Sequence, residues 1–138
     1  MKANRVEIWA GSIEDRPGGL AEKLSTLAEA GAELEYVMAR RTPDKPGEGV
    51  VFLTPVEGPQ QVEAAEGAGL HKTESLVAVK VEGADRPGLG AQITTALANK
   101  GVNLRGLSAS VIEDKFVLWL ALDSAEDAET AVQTLRSM

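Results

Sequence analysis

Asp15-Arg16-Pro17-Gly18 returns seventy positions later as Asp85-Arg86-Pro87-Gly88, and each copy stands between an apolar, strand-like run and an amphipathic helical pattern. Outward from the tetrapeptide the same spacing pairs Ala21 with Ala91, Leu27 with Leu97, Ala28 with Ala98, Gly31 with Gly101 and Leu34 with Leu104. Agreement in apolar, Gly and Pro positions argues for a shared backbone, so the chain reads as one supersecondary unit used twice.

In the first half Val6 to Ala10 alternates as a strand, and Leu20, Leu24, Leu27 and Ala28 recur at helical spacing from Pro17 onward, with Gly31 as the left-handed stop. Leu34, Tyr36 and Met38 alternate as a second strand. A turn-rich loop, Thr42 to Gly49, leads into a third strand at Val50 to Val56, and Gly58-Pro59 opens a weaker helix through Glu66. Residues 70–81 must hold the last strand of one half and the first of the next, which puts the module boundary near Ser75 and gives modules 1–74 and 75–138. The second half repeats the order: a strand to Val81, a helix from Pro87 to Lys100, strands at Asn103 to Ile112 and Lys115 to Leu122, and a final helix from Ala125 to Arg136.

The order predicts an α+β fold of two ferredoxin-like β-α-β-β-α-β modules packed side by side. The second stops after its second helix, so it is expected to lack its last strand and to need cover for the exposed edge of its first strand, from the other module or a partner subunit. Between Phe116 and Leu122 both faces are apolar, Phe116, Leu118, Leu120 and Leu122 on one and Val117, Trp119 and Ala121 on the other. Helices cover one face of such a sheet. The second is expected either to leave Trp119 half exposed or, as the preferred reading, to form a homodimer enclosing Trp119 and Trp9.

A formal net charge of −7 without a basic stripe disfavours nucleic acid and anionic membranes as partners. No cysteine is present to form a disulfide, a thiolate nucleophile or a zinc site. No signal-type stretch follows Met1, and the longest apolar run is too short to span a bilayer, so a soluble, cytoplasmic protein is expected. His71 is the only histidine and the serines have no partner visible in sequence, which argues against an enzyme, and no metal or other cofactor is expected.

Asp-Arg-Pro-Gly at a helix start has its own chemistry. Pro presets the backbone, Gly removes the side chain that would block approach, and the following N–H groups suit a carboxylate. Asp15 and Asp85 are placed either to hold a ligand ammonium or to cap their own helices. Arg16 and Arg86 read as solvated charges that offset the neighbouring acids.

With Ala30-Gly31-Ala32-Glu33-Leu34 and Lys100-Gly101-Val102-Asn103-Leu104 following the two loops, nearly the whole chain resembles tandem ACT domains, small amino-acid-sensing regulatory modules. The resemblance implies paired modules that bind a free amino acid at their junction, between one module's first loop and the other's second-strand start. Asp15 and Asp85 stand where some serine-sensing relatives carry Asn, and Ile13 and Gly83 stand where those relatives carry His. At the second-strand start Asn103 matches and Glu33 does not. One site would then combine Asp15, Gly18 and Gly19 with Asn103, and the other Asp85 and Gly88 with Glu33. Two carboxylates facing a ligand carboxylate disfavour the second by about a kcal/mol or more, so the first is preferred. The implied function is a non-catalytic sensor regulating amino-acid metabolism, with a regulated enzyme as a further partner. The alternative is a subunit that docks an enzyme through its open sheet face and binds no ligand.

Overall fold

The computed structural model describes all 138 residues. In chain order its elements are β1 (Lys2–Val6), β2 (Trp9–Glu14), α1 (Gly19–Glu29), β3 (Tyr36–Arg41), β4 (Glu48–Thr54), α2 (Gly58–Gly67), β5 (His71–Lys72), β6 (Val77–Ala84), α3 (Leu89–Asn99), β7 (Leu104–Ile112), β8 (Lys115–Leu122) and α4 (Ala125–Arg136). They form two four-stranded antiparallel sheets, β3-β4-β2-β5 and β1-β6-β8-β7, each with two helices. The pattern is that of two ferredoxin-like modules.

The chain divides into one compact unit of Glu7–Thr73 and another of Met1–Val6 with Glu74–Met138. The first six residues thus belong with the second half, and the expected vacancy there is filled. β1 pairs antiparallel with β6, Lys2 opposite Glu82 and Val6 opposite Ala78, and takes the place of the missing strand. The single strand expected over Val6 to Ala10 is in fact the passage between two strands in different sheets. The expected alternation breaks there, since the adjacent Ile8 and Trp9 are both buried, and the Ile8 carbonyl accepts from Thr73 N–H at 2.9 Å and not from a strand ladder. β1 gave no hydrophobic signal because only Ala3 faces a core. α4 holds it in place: Arg136 donates to the Ala3 carbonyl and to Asn4 Oδ1, both at 2.9 Å.

The repeated local signals produce repeated caps. Gly31 and Gly101 are left-handed, at φ 86° and 76°, and the residue after each returns its N–H to the carbonyl five residues back, Ala32 to Leu27 and Val102 to Leu97, both at 3.0 Å. This satisfies last-turn carbonyls that would otherwise lack donors. Ser124 caps α4 through its hydroxyl, which accepts from Asp127 N–H at 3.1 Å. Each unit has its own apolar centre. Leu27, Val51, Leu53 and Leu70 anchor that of residues 7–73, and Val79, Ile93, Leu118 and Leu135 that of the other. Trp9 lies in the first of these cores, so it is not part of an exposed face as expected.

Ala3→Asp would put an unpaired charge beneath α4. The expected loss is about 3 kcal/mol or more. Hydrogen exchange should show amide protection falling in β6, β8 and α4 while residues 7–73 keep theirs; an equal fall in both units would contradict the assignment of β1.

Candidate functional site

Each proline-stiffened loop connects a strand to a helix, and the two adopt the same backbone. Gly18 lies at φ 87°, ψ −9° and Gly88 at φ 80°, ψ 4°, left-handed conformations in which a Cβ is disfavoured. Neither helix start has a side-chain cap, so Asp15 and Asp85 do not serve as helix caps. Gly19 N–H is taken by the Arg16 carbonyl at 3.1 Å and Leu89 N–H by the Arg86 carbonyl at 3.3 Å. The first full helical bonds are Glu22 to Gly18 and Gln92 to Gly88, so the amides of Leu20 and Ala21, and of Gly90 and Ala91, precede any carbonyl they could bond within the helix. Each loop is also tied to the neighbouring hairpin, Asp15 N–H to the Gly47 carbonyl at 3.0 Å and Asp85 N–H to the Asp114 carbonyl at 2.8 Å.

Side chains make the loops unequal. Arg41, at the end of β3, donates from Nε to Asp15 Oδ2 at 2.7 Å. In the other unit the position is Val111: Arg41 pairs with Gly49 and Gly49 with Ile13, just as Val111 pairs with Phe116 and Phe116 with Gly83. Arg41 was not found from sequence because 26 residues separate it from Asp15 and no local pattern links them. Arg16 bonds Glu14 and, at 2.8 Å, Glu22, while Arg86 bonds Gln92 at 2.5 Å, which fits their reading as charges offset locally. The bond from the Arg16 guanidinium holds the Glu14 carboxyl below its ordinary range, and Glu14 and Glu22 together raise Arg16.

Gly19 is required by a close approach, since a Cβ there would stand 2.1 Å from the Glu14 carbonyl oxygen. Its counterpart is the buried Leu89. Asn103 and Glu33 are exposed and lie past the far ends of α3 and α1. Eleven helical residues span about 16 Å, so neither reaches the loop of its own unit. A shallow groove of about 440 Å³ runs along α3 from Ala91 and Gln92 to Asn99 and Met138 and includes none of the predicted residues. No group of three or more His, Cys, Asp or Glu side chains is placed to hold a metal ion, and no helix is long and apolar enough to cross a membrane.

On β8, Phe116, Leu118, Leu120 and Leu122 are buried against the helices, and Val117, Trp119 and Ala121 are half-buried on the other face. Lys80 Nζ lies 5.3 Å from the Trp119 ring centroid, within cation–π range. Beside it Glu82 is approached by Lys115 at 3.1 Å, Lys80 at 3.7 Å and Lys2 at 4.0 Å. The hydrogen bond from Lys115 is the main reason that the Glu82 carboxyl titrates below its usual range, against the opposing effect of burial.

The helix-start loop, the glycine stop and the sheet order recur in known proteins. Residues 77–138 match the family model of the ACT domain. Residues 7–73 repeat the same order of strands and helices. UPF0237 protein MK1213 of Methanopyrus kandleri is 40% identical over 58 residues, which are 42% of this chain and 63% of that protein, less than two thirds of its length. Among solved structures, protein BT0572 from Bacteroides thetaiotaomicron superposes with a TM-score of 0.79 at 14% identity, over 95% of this chain and 88% of that one. The ligand-free regulatory subunit of aspartate kinase from Thermus thermophilus gives 0.67 at 20% identity, over 99% and 97%. E. coli aspartokinase III in complex with lysine and aspartate gives 0.56 at 18% identity, over 98% of this chain and 31% of that one. At these identities the likeness is one of fold, here the ACT-type sheet and helix arrangement.

Two outcomes check this geometry. Gly19→Ala meets backbone and should cost about 2 kcal/mol or more, whereas Gly88→Ala meets open space and should cost only the about 1–2 kcal/mol of a left-handed residue; equal losses in denaturant melts would refute the contrast. Because the folded pKa of Glu82 is depressed, its stabilisation is complete above the unfolded value of 4.5 and is lost as pH falls through the folded one. Glu82→Gln should therefore cost about 0.5–1 kcal/mol at neutral pH and nothing in acid. A difference from wild type that persists in acid would point to packing as its source.

Proposed function

We propose that this chain is a non-catalytic sensor that binds a free amino acid at the junction of its ACT-like modules and through it regulates an enzyme of amino-acid metabolism. The observation that carries this reading is the duplicated loop: two left-handed glycines, each opening a helix whose first amides have no acceptor within the helix. An α-carboxylate suits such a position, because several N–H groups and the positive end of the helix dipole act on it together. The regulatory subunit of aspartate kinase and the lysine and aspartate complex of aspartokinase III support the regulatory role and the ligand class. A cytoplasmic location accompanies this reading.

The preferred site combines Asp15, Gly18 and Gly19 with Asn103. Arg41 adds to the case, since a guanidinium beside Asp15 offsets its charge where a ligand carboxylate would arrive. At the loop of Asp85 and Gly88 the corresponding residue is Val111, which brings no guanidinium to offset Asp85. Asn103 and the Asp15 loop are on different modules, and their meeting is part of the proposal.

A panel of amino acids beginning with lysine and aspartate is the test. A binding ligand should raise the thermal midpoint. Asp15→Ala should then weaken binding by about tenfold or more, the effect of one charge-assisted hydrogen bond, and Asp85→Ala should do much less. Equal losses would overturn the choice of site. Silence across the panel would favour a docking subunit without a ligand.

A further inference from the structure

The two units differ most at the outer edge of their first long strand, β2 in one and β6 in the other. In an antiparallel ladder alternate residues turn their N–H and C=O groups to opposite neighbours. Asp15 N–H bonds the Gly47 carbonyl on the β4 side, and the Ile8 carbonyl accepts from Thr73 N–H on the β5 side. By this alternation Ala10 and Ser12 turn outward, away from β4. In the other unit the bond from Asp85 N–H to Asp114 turns Lys80 and Glu82 outward in the same way, and there they meet β1, with Asn4 and Lys2 opposite them. β5 is only two residues long and reaches Ala10, opposite His71, but not Ser12. It begins no earlier because Gly69, which would come opposite Ser12, is left-handed at φ 82° and gives its N–H to the Glu66 carbonyl of α2. The Ser12 N–H and C=O are thus left without a main-chain partner on an exposed residue, where the matching Glu82 has Lys2.

A second departure lies beside this gap. Where α3 carries the buried Ile93, α1 carries the half-buried Lys23, whose ammonium donates to the Ala68 carbonyl. A Cβ at Gly69 would stand 3.6 Å from Lys23 Nζ, so the cation lies where the chain turns away from the ladder. One fourth-strand position is therefore vacant, with a donor and an acceptor of β2 facing it and a cation at one end. We propose that this vacancy binds the main-chain groups of a free α-amino acid, which takes the place opposite Ser12 that Lys2 takes opposite Glu82. β1 and β5 both run antiparallel to the strand they cover, and the same direction fixes the polarity of the ligand. Its ammonium donates to the Ser12 carbonyl, on the Ile13 side. Its carboxylate accepts from Ser12 N–H on the Gly11 side, towards Gly69 and the Lys23 ammonium. A longer peptide strand is stopped at both ends. The next outward carbonyl, that of Glu14, already accepts from Arg16 N–H at 2.9 Å, and the Gly69 carbonyl oxygen crowds Gly11, 2.6 Å from where a Cβ would stand. A free amino acid needs one position only and carries a charge at each end of it. The inference rests on the proposed function for its ligand class, but it involves neither Asp15 nor Asn103.

The standard amino acids, titrated singly into the isotopically labelled full chain, are the probes. In the free protein the Ser12 amide should exchange with solvent at a nearly unprotected rate, and the tightest-binding amino acid should slow it by about tenfold or more. The carboxamide and N-acetyl derivatives of that amino acid should each bind about tenfold more weakly, since each loses one of the two charges. Ser12→Pro removes an N–H that bonds nothing within the chain, at an edge position where proline is tolerated. It should weaken binding by about tenfold or more, as should Lys23→Met, both with unchanged far-UV circular dichroism. Wild-type affinity in either variant, or a Ser12 amide indifferent to a bound amino acid, would overturn the inference. If Asp15→Ala alone abolishes binding, the site of the proposed function stands and this one falls; loss in Ser12→Pro and Lys23→Met with binding kept in Asp15→Ala would reverse that result. Silence across all the amino acids would overturn both.

Discussion

The pairing of Lys2–Val6 with β6 is the contact on which the second unit depends. It gives that sheet its fourth strand, and it places under α4 a buried Ala3 whose carbonyl accepts from Arg136. The paired strands are separated in sequence by the whole of the other unit, a long loop to close. That unit leaves close to where it enters, since Ile8 accepts a hydrogen bond from Thr73. Once residues 7–73 are folded, the closure involves a few flexible residues in place of about 70, which lowers its entropic cost by about 2 kcal/mol. Local folding of the inserted unit thus assists the long-range pairing that completes its host.

Duplication explains what the two units share, and single substitutions explain how they differ. The left-handed glycine after proline and the glycine stop after the helix are backbone requirements, and both copies keep them. Arg41 against Val111 and Gly19 against Leu89 are departures at matching positions. The first pairs Asp15 with a guanidinium where the other copy has an aliphatic side chain, and the second lets α1 start in contact with the Glu14 carbonyl where α3 starts on a buried leucine. The same backbone therefore presents an Asp paired with a guanidinium in one unit and an Asp with an aliphatic residue at the matching position in the other.

Where side-chain pattern and local backbone agree, sequence was enough. The bounds of α4 and β8, the helix stops at Gly31 and Gly101 and the inward face of β8 all follow from period, caps and glycine. β3 begins at Tyr36, two residues after the expected Leu34, because Leu34 packs in the core as a connection and mimics the start of the strand. β1 was invisible because a mostly polar edge strand carries no alternation beyond Ala3, and its partners are 72 to 80 positions away. The loops were legible as conformations, but the Arg41 to Asp15 pair is a product of strand register, which one sequence does not display. A site between loop and second-strand start joins residues that one unit keeps a helix length apart, so single-module reasoning could not assemble it.

The insertion also sets an order for synthesis. Residues 2–6 leave the ribosome before their partners at 78–82, which emerge on the order of ten seconds later at ordinary translation rates. During that interval residues 2–6 have no ladder of their own to join, while residues 7–73 become free to fold. Lys2, Asn4 and Arg5 keep the waiting segment hydrated and poorly suited to premature association, so the polarity that hides β1 from a hydrophobicity plot also protects it until its partner arrives.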